Sequence, residues 1–249
     1  MIRIESLNKS FGEEKVLINI NLTIPEGKIT VILGRSGAGK SVLLKHMIGL
    51  IKPDSGKIYV NGREITGLNE KELDKVREHF GMLFQGGGLF DSITVWENVA
   101  FPLVERGNTS MEEIKKEVKK RISQVGLAGM ETKLPSQLSG GMKNRVGLAR
   151  ALVTNPDIIL FDEPTAGLDP ITEESISKLI IQTHKKHKNT YVIISHDIEM
   201  TLRVADKIAI LYGGKIITEG TPDELKKSKD SFVSKFVNGS LEDLDLEHR

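Results

Sequence analysis

The sequence predicts an α/β fold, a mostly parallel, helix-covered sheet interrupted by a block of helices. Three observations carry that expectation. Short, largely apolar runs rich in β-branched residues stand at Ile29–Leu33, Asp157–Phe161 and Thr190–Ser195, the length and composition of buried strands. Helical patterns alternate with them, and a long one covers Ile171–Lys186. From about Thr94 to Thr154 the pattern is helical almost throughout, which reads as an insertion into the α/β core.

Taken in order, the stretch to Ile24 reads as two or three strands with turns at Gly12-Glu13-Glu14 and Pro25-Glu26-Gly27. After Ile29–Leu33 a glycine-rich turn leads into a helix over Ser41–Leu50. Gly56–Val60 reads as a strand closed by an Asn61-Gly62 turn, Asn69–Arg77 as a polar helix, and Phe80–Phe84 as a further strand. The helical block divides into Val95–Arg106, Ser110–Val125 and Gly140–Val153. A last strand covers Lys207–Leu211; a turn at Tyr212–Lys215 follows, and Gly220–Leu225 opens a short helix.

Composition narrows the class. The 249 residues are 39% hydrophobic and 28% charged, as expected of a folded globular chain. A net charge of +1 lacks the basic surplus of a nucleic-acid binder, so no nucleic-acid partner is expected. Cysteine is absent, which removes disulfides, thiolate metal sites and cysteine nucleophiles. The N-terminus alternates (Ile2, Ile4, Leu7) like a strand rather than a signal peptide, and no apolar run reaches bilayer-spanning length. A membrane role is therefore expected to run through partners.

Gly34-Arg35-Ser36-Gly37-Ala38-Gly39-Lys40-Ser41 fits G-x-x-x-x-G-K-[ST] and lies between a buried strand and a helix that continues with Val42. Small residues let backbone N–H groups curl around phosphate oxygens, and the helix N-terminus adds positive potential. Lys40 is expected to reach the β- and γ-phosphates of ATP and the Ser41 hydroxyl to bind Mg²⁺. The loop alone defines only the broad class of P-loop nucleotide hydrolases and kinases.

Ile158-Ile159-Leu160-Phe161 ends in Asp162-Glu163. A parallel strand delivers its last residues to the sheet edge where a phosphate loop lies. Asp162 is then placed to hold Mg²⁺, directly or through water, and Glu163 to act as general base on the attacking water. The same edge argument brings in His196, for the γ-phosphate or the water, and Gln85, for Mg²⁺ or the water.

Leu138-Ser139-Gly140-Gly141 completes a motif order (phosphate loop, Gln85, LSGG, acidic strand, Gly167-Leu168-Asp169, His196) in which the chain resembles the ATP-binding subunits of ABC transporters over almost its whole length. The resemblance implies a RecA-like core with an antiparallel β subdomain over 1–88 and 156–240, a helical subdomain over 89–155, and an acidic tail over 241–249. It implies ATP hydrolysis in a head-to-tail dimer with a second copy of the chain. Ser139, Gly140, Gly141 and Met142 would meet the ATP held by the other copy, and Asp169 would sit at the boundary. Phe11 matches the position of an adenine-stacking aromatic. Met142 replaces the glutamine of LSGGQ, a departure that leaves the backbone amides available. Arg145 and Arg150, on the same helix, read as ordinary surface charge.

Met82 to Leu103, with F-Q-x-G-x-L-F and then T-V-W-E-N-V-A-F-P-L, resembles the Mla-type subunits that drive phospholipid transport, and LSGGM agrees. That resemblance implies an integral membrane permease as partner, an Mce-domain lipid-binding protein, and a peripheral position on the cytoplasmic face of the inner membrane. This segment is expected to line the groove for a permease helix, with Gly86 to Gly88 as a hinge and Leu89, Phe90 and Phe101 as apolar contacts. Leu241, Leu244 and Leu246 are candidates for clasping the partner copy, and the chain end leaves no room for a regulatory domain. An importer of a polar solute such as an amino acid is the alternative. A non-transport ABC ATPase fits less well without paired domains or coiled-coil insertions; a GTPase would need N-K-x-D.

Overall fold

A computed structural model describes residues 1–237; the tail expectations for Leu241, Leu244 and Leu246 lie outside the described residues. The chain divides into two compact units, one of Met1–Gly67 with the segment from Ile194 onward, the other Leu68–Ile193.

In the first unit, strands β1 (Ile2–Phe11), β2 (Glu14–Ile24), β4 (Ser55–Val60) and β5 (Arg63–Glu64) form an antiparallel sheet in the order β2-β1-β4-β5. Its alternating apolar residues are buried, Ile2, Ile4 and Leu7 from β1 and Ile20, Leu22 and Ile24 from β2, so the pleat sends one face into a core. This is the antiparallel β part that the resemblance implied. Strand β3 (Ile29–Leu33), buried at every residue, pairs in parallel with β9 (Lys207–Tyr212), and β10 (Lys215–Gly220) runs antiparallel to β9. Helix α1 (Lys40–Met47) follows β3. Helix α7 (Ile198–Val204) precedes β9, and α8 (Pro222–Lys226) and α9 (Ser231–Val237) close the described chain. Leu225, Val233 and Phe236 pack with Leu33, Ile208 and Ile210 into one buried cluster.

The second unit holds α2 (Glu70–Arg77), β6 (Phe80–Leu83), α3 (Val95–Arg106), α4 (Met111–Gln124), α5 (Gly140–Leu152), β7 (Ile158–Asp162), α6 (Pro170–His187) and β8 (Thr190–Ser195), whose last two residues belong to the first unit. Strands β6 and β7 pair in parallel, and β8 adjoins β7. Helices α2, α3 and α4 each open on a reciprocal cap, Asn69 with Glu72, Thr94 with Glu97 and Ser110 with Glu113, which stops each helix where the sequence pattern begins. Gly81 shows why β6 approaches α5 so closely: a Cβ there would sit 2.1 Å from the Ala151 carbonyl oxygen.

A buried polar network pins α4 to the end of α6. The Arg121 guanidinium, 1% exposed, donates to Gln124 Oε1 (2.9 Å) and Asn155 Oδ1, pairs with Glu117 at 2.7 Å, and lies 3.0 Å from His187 Nε2. Gln124 Nε2 lies 2.9 Å from the same nitrogen, so His187 Nε2 accepts from two donors and must be unprotonated. Burial, and then the charges of Arg121, Lys186 and Lys120 against the weaker pull of Glu117, lower the His187 pKa. The unfolded chain binds this proton more readily than the native one, so the contribution of neutral His187 is intact above its ordinary pKa of ~6.5 and is lost as pH falls below that value. The expected result is a drop in urea midpoint between pH 7.5 and pH 5.5 that is smaller in His187→Gln, which stays uncharged; equal drops in both proteins would exclude His187 as the cause.

Candidate functional site

The phosphate loop belongs wholly to the first unit. Two of its glycines are spatial necessities: a Cβ on Gly34 would lie 2.5 Å from the Leu211 carbonyl oxygen, and one on Gly39 3.0 Å from that of Val16; Gly37 has open space around it and is required by its positive φ of 79°. Gly39, at φ 95°, is also the N-cap of α1, a left-handed conformation that glycine adopts without strain. Lys40 is 6% exposed, and its Nζ donates to the carbonyls of Gly34 (2.8 Å) and Arg35 (3.0 Å), which holds the ammonium over its own loop. The Gly34 amide donates to the Ser195 carbonyl at 3.1 Å, so the residue before His196 is tied to the start of the loop. His196 is exposed. Phe11, at the end of β1, is half exposed, with Lys9 Nζ 5.4 Å from its ring centre.

The second unit carries the other candidate residues. Asp162 ends β7, and Glu163 follows in the left-handed region at φ 48°, a conformation a non-glycine residue holds only when its surroundings impose it. The Ala166 amide closes the turn on the Glu163 carbonyl at 3.2 Å. Ser139 is the N-cap of α5, its Oγ accepting from the Met142 amide at 3.3 Å. Position 142 thus serves the cap through its backbone. Gly140 and Gly141 let the following segment press close: a Cβ on Gly141 would meet Thr172 Cγ2 at 2.3 Å, and one on Gly140 would meet Leu168 Cδ2 at 3.2 Å. Asp169 caps α6, accepting from the amides of Ile171 and Thr172, both at 3.1 Å. Hydrogen bonds from Thr172 hold the Asp169 carboxyl below the ordinary carboxylate range. Asn144 donates to the Pro164 carbonyl at 3.0 Å, which ties α5 to the turn after Glu163.

Gln85 opens a single 3₁₀ turn over Gln85–Gly87. Gly86 to Gly88, where a hinge is expected, all hold positive φ, at 66°, 87° and 55°. Gly87 is buried, and a Cβ there would meet the Lys143 carbonyl oxygen at 2.5 Å; one on Gly88 would meet Phe84 Cβ at 2.7 Å; space is open only at Gly86. Gly87 and Gly88 thus also allow close approach.

Beside the turn lies a groove of about 760 Å³, walled by Phe84, Phe90, Phe101 and Pro102, with Gly81 and Met82 of β6 below. Phe90 and Phe101 form a tilted pair with 4.8 Å between ring centres and both line the groove, whereas Leu89 is not among the lining residues. The buried side chain of Asn98 fixes the wall: its Oδ1 accepts from the Phe90 amide (2.9 Å), and its Nδ2 donates to the carbonyls of Phe90, Ile93 and Thr94 (3.1, 3.2 and 3.0 Å). Asn98→Ala is expected to cost about 2–4 kcal/mol, because buried backbone groups lose their partners; urea denaturation checks it, and a loss below ~0.5 kcal/mol would contradict the clamp.

Two arginines correct the surface-charge expectation. Arg145 donates to the Val125 carbonyl and Ser175 Oγ, both at 2.7 Å, and Arg150 is 8% exposed at the groove. Asn98 and Arg150 carried no sequence signal of their own, since burial of a polar side chain is set by distant neighbours.

A strand, a glycine loop closed on its own lysine and a helix opening beneath it make the first unit a P-loop nucleotide-binding unit. Comparison with known proteins narrows this. The family model described as ABC transporter matches residues 17–166. Over 238 residues the chain is 42% identical to "Probable ribonucleotide transport ATP-binding protein mkl" of Mycobacterium tuberculosis, covering 96% of this chain and 66% of that protein, just under two thirds of its length. It is 41% identical to the "Intermembrane phospholipid transport system ATP-binding protein MlaF" of Haemophilus influenzae, covering 96% and 90%. Identity to the "Methionine import ATP-binding protein MetN" of Carboxydothermus hydrogenoformans is 45%, covering 96% and 72%. Among solved structures, the dimeric ATP-binding cassette MJ0796, in a post-hydrolysis state with ADP and phosphate, superposes with a TM-score of 0.81 at 36% identity, covering 89% and 99%. The chain belongs to the ABC transporter family and has the fold of its ATP-binding cassettes.

Proposed function

We propose that the protein is the ATPase subunit of a membrane transporter, acting as a head-to-tail dimer beneath a permease, and that its cargo is phospholipid. The observation that carries the permease part is the apolar groove beside the Gln85 turn. Exposed aromatic rings held by a buried clamp suit an apolar helix from a partner. Among the described residues no helix is long and apolar enough to cross a membrane, so a partner would supply the path. A peripheral site on the cytoplasmic face of the inner membrane follows from that reading.

Within each ATP site, the phosphate loop amides and Lys40 would hold the triphosphate, and Phe11 the base. Mg²⁺ would take the Ser41 hydroxyl, Asp162 and Gln85. The donor set suits this ion, which is held by one or two carboxylates and substrate phosphates rather than by a protein cage, and the described residues contain no cluster of three or more metal-ligating His, Cys, Asp or Glu. The bound ion would offset charge on the phosphates. Glu163 would accept the proton of the attacking water while His196 orients it at the γ-phosphate. Ser139, Gly140, Gly141 and Met142 would present the α5 N-terminus, and its positive potential, to the ATP of the second copy, with Asp169 at the boundary. The dimeric MJ0796 cassette supports this arrangement.

The relatives' names point to different cargoes, so the lipid assignment rests on the Met82 to Leu103 segment together with MlaF. MetN favours the second reading, an importer of a polar solute. The deciding experiment purifies the tagged chain from gently solubilised membranes of its native host. A permease with an Mce-domain protein and bound phospholipid is the expected result. A permease with a solute-binding protein would move the cargo to a polar solute, and recovery without any membrane protein would overturn the transport reading.

A further inference from the structure

We propose that Arg150 is a positioning residue that links a permease helix seated in the apolar groove to the Gln85 turn, an inference that rests on the groove being the permease seat. Three features converge on its guanidinium. Its Nη2 donates to the Gly87 carbonyl at 3.0 Å, and among the described residues this is the side chain's one hydrogen bond. Its carbon lies 6.0 Å from the centre of the Phe90 ring, and the residue lines the groove. Burial lowers its pKa, the mark of a cation held with little water. An arginine carries five N–H donors in a rigid fork. One here is spent on the turn, leaving the fork able to bond an oxygen acceptor, a carbonyl or carboxylate, brought in by a docked helix.

The turn is built to transmit such a contact. Gly87 is wedged against α5, where a Cβ on Gly147 would lie 2.7 Å from the Gly87 oxygen, and the Gly87 amide bonds the Phe84 carbonyl at 3.0 Å. Gln85, two residues earlier, therefore follows the Gly87 carbonyl closely, and the Gly87 carbonyl follows Arg150. An acceptor in the groove shifts or steadies the guanidinium, and Gln85 is steadied with it.

Two measurements test this on the full chain. In the free protein, Arg150→Met should raise hydrogen exchange at residues 86–88 by ~10-fold or more while the α5 amides stay protected, with Arg150→Lys between the two. Unchanged exchange at the turn overturns the link. In the complex with the permease that co-purifies with the wild-type chain, Arg150→Met should still assemble, keep its KM for ATP within about twofold, and lose at least ~10-fold in kcat, with partial rescue by Arg150→Lys. Full kcat, or failure of Arg150→Met to assemble while wild type does, overturns the proposal; the second outcome would make Arg150 a docking anchor. If Arg150→Met does not fold, Arg150→Lys carries both tests, with smaller changes in the same direction expected and wild-type values overturning the proposal. Phe101→Cys, with Arg150 intact, should cross-link to the permease. No cross-link from an assembled complex refutes the groove reading, and the occupant's part of the proposal with it, separately from the exchange result.

Discussion

Glu163→Gln is expected to bind ATP about as well as the native chain and to turn it over ~10²–10⁴-fold more slowly, the range a general base contributes. The substitution keeps the shape of the side chain and removes its ability to accept a proton. Its backbone should tolerate the change, because the left-handed φ of 48° is imposed by the turn that Ala166 closes, and Glu and Gln differ little in conformational preference. Slow hydrolysis should let the ATP-bound pair accumulate, so light scattering with ATP and Mg²⁺ should show a lasting dimer where the wild type returns to its starting state. Turnover within ~10-fold of wild type would take the base role from Glu163 and direct attention to His196.

Lys40→Ala is expected to weaken ATP binding by ~10–100-fold, the loss of one charge-assisted contact of about 1.5–3 kcal/mol. The fold should survive, since the Gly34 and Gly39 packing that shapes the loop is untouched. Titration calorimetry with ATP and Mg²⁺ measures the affinity and a thermal melt the fold. Unchanged affinity in a folded variant would contradict the phosphate-loop assignment. Lys40→Arg should restore charge without function, because a planar fork does not fit where a compact ammonium lies between two carbonyls.

What could be read from the sequence was whatever depends on near neighbours along the chain. Buried strands such as β3 and β8 declared themselves as short apolar runs, and the helical patterns opening at Asn69, Val95 and Ser110 fell within one residue of the starts of α2, α3 and α4. The phosphate loop was legible for the same reason, since eight consecutive residues form it. Helix α7 and strand β10 were not, one being only seven residues long and the other an edge strand whose K-I-I-T-E-G pattern buries no residue fully. The Gly86 to Gly88 run showed backbone freedom on paper, and only the Lys143 carbonyl against Gly87 turned it into a tight seat. Arg145 and Arg150 looked alike as helix charges, yet Arg145 is tied to Val125 and Ser175, and Arg150 is buried against Gly87 and Phe90. The sequence alone determined the class of protein and the place of its phosphate loop between β3 and α1. Which polar side chains are buried, and what they hold in place, was decided by the tertiary structure, because burial depends on partners that lie from three to more than sixty residues away along the chain.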